Sequence, residues 1–350
     1  MLAPVESTVA RWNALRGLRA LGGGPLPRVT APSLEGLEVR VPAQEDVSVE
    51  ALEERFHALL REHATYRDRL EGERVQPGDA LCVDTWGIAA GRLIPRSARA
   101  GAWMELRPVP ELPGLAEALC GARVGQRVEV PVMLPEMHPV PRLRGARALW
   151  CVTVRKAREV TLPDPQSADF LRAVGRGETV EEVLSALALE LEEALADKRW
   201  GTAQELVLDE VVRRTAVLAP GWLVDDEIHR RWSETEGQEL QALAFGPQVR
   251  VESLETWLKD PATRAEAERR VRISLALEAL AERDQLVPSP ERLRRTLRDA
   301  TGALGLPPTE GERMDLLDGA GADLAWQLTA VGYVMDRARI HFEEPWVPQN

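Results

Sequence analysis

The side chains in this sequence best suited to bond-making chemistry are five histidines, three cysteines and one tight acid cluster. His57 and His63 sit six apart in a helical stretch, roughly 600° of rotation, so they point to opposite faces and make no metal pair. Cys82, Cys120 and Cys151 are odd in number and far apart, which excludes a disulfide framework and a CxxC knuckle and fits a reducing compartment. Asp225-Asp226-Glu227 with His229 is the one local carboxylate–histidine cluster. It could bind a cation, but three acids opening a helix also answer the positive end of the helix dipole. The chain has no GxxxxGK[ST] phosphate loop, no GxGxxG after a strand, no HExxH and no GxSxG. No cofactor and no metal is implied.

What remains lies between residues 76 and 157. Val83-Asp84-Thr85-Trp86-Gly87 ends a β-type run, and Leu112-Pro113-Gly114-Leu115 opens a short apolar helix. Gly121-Ala122-Arg123-Val124-Gly125-Gln126 follows, then Val130-Pro131-Val132-Met133-Leu134-Pro135-Glu136. This order resembles the FKBP-type peptidyl-prolyl isomerase domain: a strand ending in Asp, a Pro-Gly helix start, a GxxxG turn and a strand running into Pro-Glu. The flanks extend the likeness to roughly residues 27–345. An E-V-x-V-P strand and a helix precede the domain, and Leu162-Pro163-Asp164 leads into a long helical region. Residues 217–228, Val-Leu-Ala-Pro-Gly-Trp-Leu-Val-Asp-Asp-Glu-Ile, resemble the junction of bacterial trigger factors, where a proline opens a helix bearing acid and Ile. That family normally begins with a ribosome-docking domain carrying a G-F-R-x-G-K-x-P loop. The loop is missing here, so docking by the family's route is in doubt.

The resemblance implies a substrate pocket at Thr85, Ile94, Glu111, Leu112, Leu115, His138 and Trp150. An X-Pro bond resists rotation by about 18–20 kcal/mol because twisting breaks amide resonance. Catalysis of this kind needs no nucleophile. It needs an aromatic cup that excludes water and favours the twisted amide. Thr85 stands where the family has Phe or Tyr, with Trp86 beside it. Ile94 stands for a Phe, Glu111 for Met or Val, Leu112 for Ile, Leu115 for the aromatic floor, His138 for Tyr and Trp150 for Phe. Aliphatic side chains replace much of the cup, and Glu111 brings a carboxylate toward a dry site. The expected isomerase activity is weak or absent. Leu115 and Trp150 would be buried in any such fold, so their apolar character alone is also what core packing requires.

The elements that must position these residues read as follows. Residues 1–26 carry Val9, Trp12, Leu15 and Leu18 at helical spacing with arginines between, then break at Gly22-Gly23-Gly24-Pro25. They form either a basic amphipathic helix or a terminal tail. Residues 27–75 give a period-two patch at 37–42, then a helix capped by Ser48 with a stripe of Leu52, Phe56, Leu59, Leu60 and His63. Residues 76–157 form a small domain of strands 80–86, 128–134 and 149–154 around the helix 115–119. Residues 158–350 form the helical domain, and residues 163–350 are expected to be almost entirely helical. A long helix starts at the Thr179/Glu182 capping box with Val183, Leu187, Leu191 and Leu195, and runs to Thr215 with a bend at Gly201. Further helices are expected from Pro220 to Leu243, from Pro261 to about Asp284, after Ser289-Pro290, at the Thr309/Glu312 box, and from Asp323 to Ile340. The last would bury Leu324, Leu328, Val331 and Met335. The fold class is α+β multidomain: a small FKBP-like antiparallel-sheet domain with one helix, then an extended all-α domain with helical arms.

Charge and composition fit that organisation. The chain of 350 residues carries a net charge of −12, a poor general match to nucleic acid. Residues 76–156 nonetheless hold 11 Arg/Lys against 7 Asp/Glu. No stretch reaches the roughly 20 apolar residues of a membrane span, and the start has no apolar signal core. A cytoplasmic, ATP-independent chaperone is the expected function, its partners unfolded or nascent polypeptides. Trp200, Trp222, Trp232, Trp257 and Trp326 are candidate contributors to a client-binding cradle, most of them at the same time good core residues. An open apolar cradle also makes a homodimer plausible. The competing readings are an active prolyl isomerase that recruits substrate through its helices, and a non-catalytic adaptor for one dedicated partner.

Overall fold

The computed structural model describes residues 27–344 apart from 45, 71, 108–111, 113, 139, 288, 290, 292–294, 296–297 and 299–319. The expected helix in residues 1–26, the Thr309/Glu312 box and most of the segment after Ser289 lie outside the described residues. In chain order the strands are β1 (Glu38–Val41), β2 (Thr65–Asp68), β3 (Ala80–Ala89), β4 (Arg92–Leu93), β5 (Arg99–Glu105), β6 (Arg127–Met133), β7 (Arg147–Thr161) and β8 (Arg339–Phe342). The helices are α1 (Val49–Glu62), α2 (Leu115–Leu119), α3 (Ala168–Val174), α4 (Val180–Arg214), α5 (Gly221–Glu234), α6 (Glu236–Ala242), α7 (Pro247–Lys259), α8 (Pro261–Arg283) and α9 (Ala320–Met335). The chain folds as two compact units.

One unit comprises Ser48–Leu191 and Arg231–Lys259. Its antiparallel sheet is built on β7, which pairs with β3 over ten residues and with β2 and β6 along its other edge. β5 and β4 pair with β3. Alternation along the strands turns Leu81, Val83 and Ala89 of β3, Val130 and Val132 of β6, and Val152 and Val154 of β7 inward. These close over Leu115, Ala116 and Leu119 of α2 in one core. Two buried carboxylates tie the strands. Asp84 accepts the Gly101 amide at 2.8 Å and Arg155 Nε at 2.5 Å, joining β3, β5 and β7. Asp79 accepts the Arg69 guanidinium through both oxygens and the Gln76 amide at 2.8 Å.

In the same unit the Ser48 hydroxyl caps α1 by accepting the Ala51 amide. Leu59 and Leu60 of α1 pack with Phe170 and Leu171 of α3 and with Val183 and Leu187 at the start of α4. The expected capping box is only half formed. The Thr179 hydroxyl accepts the Glu182 amide, while the Glu182 carboxylate reaches the amide of Glu178 rather than that of Thr179. The helix expected over Pro220–Leu243 is two helices. The backbone leaves helical geometry at Thr235, with φ −121° and ψ −99°, and α6 starts afresh. Gly237 packs closely on Trp232: a Cβ there would lie 3.0 Å from the Trp232 carbonyl oxygen and 3.2 Å from its ring.

The other unit comprises residues up to Val47, Glu192–Arg230 and Asp260 onward. Leu34, Leu37 and Val39 pack with Val207 and Val211 of α4, Leu277 and Leu280 of α8, and Ala330 and Val334 of α9. Asp260 caps α8 by accepting the Thr263 amide at 2.9 Å. α4 continues through Gly201 to Arg214. The last helix ends at Met335, not Ile340. Residues 339–342 are β8, which pairs parallel with β1, Val39 opposite Ile340. Among the described tryptophans, Trp232 and Trp257 are buried, whereas Trp200 is half exposed and stacks on Phe342 with ring centroids 6.2 Å apart.

Candidate prolyl-binding pocket

The inward face of β3 runs Leu81, Val83, Thr85, Gly87, Ala89, and its register sets Gly87 opposite Trp150 of β7. The Trp150 ring lies directly on the Gly87 backbone. A Cβ at that position would come within 2.5 Å of the ring and 2.8 Å of Ile94 Cδ1. Glycine is thus the only residue that lets this ring settle against the strand. Ile94 is held in place by two routes. Its amide donates to the Gly87 carbonyl at 2.8 Å, and its carbonyl accepts the Ser97 hydroxyl at 2.7 Å. The same Ser97 oxygen accepts the Gly87 amide at 3.0 Å. Residues 87 and 94–97 are therefore stitched into one rigid corner.

The structure brings Ile94, Leu112, Leu115 and Trp150 into a single apolar cluster. Leu115 is buried at the start of α2, where Gly114 takes a left-handed φ of 87° so that the chain can turn into so short a helix. Thr85 stands one inward position before Gly87 on β3, half buried. Its Oγ1 is shielded from solvent and finds no hydrogen-bond partner among the described residues. A polar atom thus sits where the resemblance calls for an aromatic ring. His138 belongs to the β6–β7 connection. Its Nδ1 accepts the Val140 amide at 3.1 Å, so in that arrangement a neutral ring carries its proton on Nε2. Its carbonyl accepts Arg144 Nε at 3.0 Å. Those bonds place it within its own turn. Glu111 lies outside the described residues.

Sequence reasoning missed Gly87 and Ser97. A glycine inside a β-type run is the usual sign of a close approach by another group, and Trp86-Gly87 carried that sign. Ser97 gave no comparable signal. The described members of this cluster, Ile94, Leu112, Leu115 and Trp150, are all apolar, and the hydroxyl of Thr85 on the same strand face is unpartnered among the described residues.

Comparison with known proteins agrees with this organisation. Residues 179–312 match the family described as bacterial trigger factor protein C-terminus. The trigger factor of Shouchella clausii is 28 % identical over 276 residues, 76 % of this chain and 61 % of that protein. That of Novosphingobium aromaticivorans is 25 % identical over 278 residues, 79 % of this chain and 52 % of its own length. That of Geobacillus thermodenitrificans is 25 % identical over 319 residues, 90 % and 73 %. The chain thus spans less than two thirds of the first two relatives. A solved structure of the trigger factor chaperone superposes over 89 % of this chain with a TM-score of 0.34 at 17 % identity, too loose a likeness to argue from. In its helical C-terminal region, and at 25–28 % identity along most of its length, the chain is similar to bacterial trigger factors.

Proposed function

We propose that this protein is an ATP-independent cytoplasmic chaperone of the trigger factor kind. It binds unfolded or nascent polypeptide through its helical part, and its sheet domain is a prolyl-binding head with slow cis–trans turnover. The relatedness of residues 179–312 to the trigger factor C-terminal region carries the reading. Exposed Leu189, Trp200, Leu218 and Val251 on or beside the helices support it, because dispersed apolar contacts suit many unlike clients. Slow turnover follows from the lining. Leu115 offers no ring face as a floor, and the Thr85 hydroxyl keeps a polar atom where the twisted amide favours an apolar wall.

Two assays on the purified chain test this. Diluting two unrelated denatured proteins into the chaperone should leave both soluble. Protection of neither, or of one dedicated partner alone, sinks the chaperone reading. In a protease-coupled prolyl assay the wild type should accelerate isomerisation weakly. Leu115→Phe should raise kcat/KM about tenfold, equivalent to about 1.4 kcal/mol of barrier. A wild type already as fast as the variant would restore the reading of an active isomerase.

A further inference from the structure

Helices α6 and α7 belong to the same compact unit as the sheet domain and grip one part of it. Glu236, the first residue of α6, is only 2 % exposed. Its Oε1 accepts the Arg96 amide at 3.1 Å, and its Oε2 accepts the Trp257 indole N–H at 2.5 Å. One turn on, Glu239 Oε2 accepts the Ala100 amide at 2.6 Å. The Arg96 guanidinium lies over the Trp257 ring, 4.7 Å from its centroid. Phe245, in the α6–α7 turn, meets Trp86 edge to face with centroids 5.5 Å apart. Burial pushes the Glu236 carboxyl up, against the pull of the Trp257, Arg96 and Ser253 donors.

Apart from the Phe245–Trp86 pair, the contacts with the sheet domain fall on residues 96–100, the segment that leaves the pocket wall at Ile94. Arg96 has a φ of 63°, a conformation that a non-glycine residue holds at a cost unless its surroundings fix it. Two groups brace it: the Ser97 amide donates to the Ile94 carbonyl at 3.2 Å and closes the turn Ile94-Pro95-Arg96-Ser97, and from outside the turn the Glu236 carboxylate accepts the Arg96 amide. The next residue, Ser97, bonds Gly87 and Ile94, and Gly87 carries the Trp150 ring. A continuous path of bonded groups therefore runs Glu236, Arg96, Ser97, Gly87, Trp150.

We infer that Glu236 is a positioning residue for the apolar pocket: it braces the Ile94–Ser97 turn at the Arg96 amide, and so steadies the Ile94–Ser97 wall and the Trp150–Gly87 stack from outside the head. It never touches the ligand. Because binding linkage is reciprocal, a prolyl ligand in the pocket tightens α6–α7 on the head, and loss of that grip weakens the ligand. This last step rests on the pocket being a prolyl site.

The test uses the full chain, wild type and Glu236→Ala, with acetyl-Ala-Leu-Pro-Phe amide as the probe. Hydrogen exchange of residues 94–98 should quicken at least tenfold in the variant while β6 keeps its protection. Peptide affinity should fall at least fivefold, and Glu236→Gln, which keeps one acceptor, should fall between. Adding peptide to the wild type should slow exchange in residues 236–257. Unchanged exchange at 94–98 in a folded Glu236→Ala protein overturns the inference, as does peptide binding that leaves residues 236–257 unaffected. If the wild type binds no peptide, the prolyl reading fails on its own, and the 94–98 exchange still decides the positioning role. If Glu236→Ala does not fold, Glu236→Gln and Phe245→Ala carry the same measurements, with the same pattern of exchange expected and the same result decisive against it.

Discussion

Gly87 is the residue on which the pocket's geometry depends most directly. A Cβ at that position would overlap both Trp150 and Ile94, and the two side chains cannot retreat together because both are packed into the sheet-domain core. Gly87→Ala should therefore destabilise this unit by about 1–3 kcal/mol, the usual cost of overpacking. It should also lift the Trp150 ring, and a shifted tryptophan emission together with a lower melting temperature checks both. Unchanged emission and melting would mean that the ring rests elsewhere. Thr85 poses the opposite case, an acceptor and donor without a partner among the described residues. That Ile94, Leu112, Leu115 and Trp150 come together was legible in the sequence because turn glycines, Pro-Gly and the strand-end acid keep a fixed order. Glu236 was not, because its partner Arg96 lies 140 residues away and no local pattern marks a buried carboxylate at a helix start.

At the scale of elements, the end of α4 shows how a helix terminus is anchored. Arg214 donates to the carbonyls of Ser33, Glu35 and Gly36, while Glu210 accepts from both Arg213 and Arg214. The hydrogen bond from Arg213, then that from Arg214, holds the Glu210 carboxyl at about 2, against an ordinary 4.5. A depressed acid contributes stability that is complete above its unfolded value and is lost as pH falls toward the folded one. Stability should thus decline between about pH 4.5 and 2, and Glu210→Gln should flatten that limb in acid-unfolding curves. Equal slopes in the two proteins would remove Glu210 from the account. The Ser48 cap and its apolar stripe made α1 readable in advance, Asp260-Pro261 marked the start of α8, and the apolar run Leu115-Ala116-Glu117-Ala118-Leu119 marked α2. β2 and β5 were not readable: the Thr-Tyr-Arg-Asp of β2 is exposed throughout, and β5 alternates only through Ala100, Ala102 and Met104, mostly small side chains that give a weak signal. The break at Thr235 was hidden too, because the apolar spacing runs on from α5 into α6 while the turn packs Gly237 against Trp232.

At the scale of the whole molecule, each unit is assembled from segments distant in the chain. Leu37, from the first described stretch, is almost wholly buried against α4, α8 and α9. Leu37→Ala should cost about 2–5 kcal/mol. Hydrogen exchange should rise in α8 and α9 first, and equal exchange in those helices would show that the N-terminal stretch is not part of their core. The β1–β8 pair carries a further consequence, for the timing of biosynthesis. Its two strands are separated by about 300 residues, and a ribosome adds about 5–20 residues per second. β1 thus emerges and waits on the order of 15–60 s before the strand that completes it exists. The unit that holds the six-stranded sheet, whose last residue is Lys259, is already whole by then. This protein finishes one half of itself while the other is still an open chain with an unpaired edge, and for that interval it resembles the incomplete polypeptides it is proposed to hold.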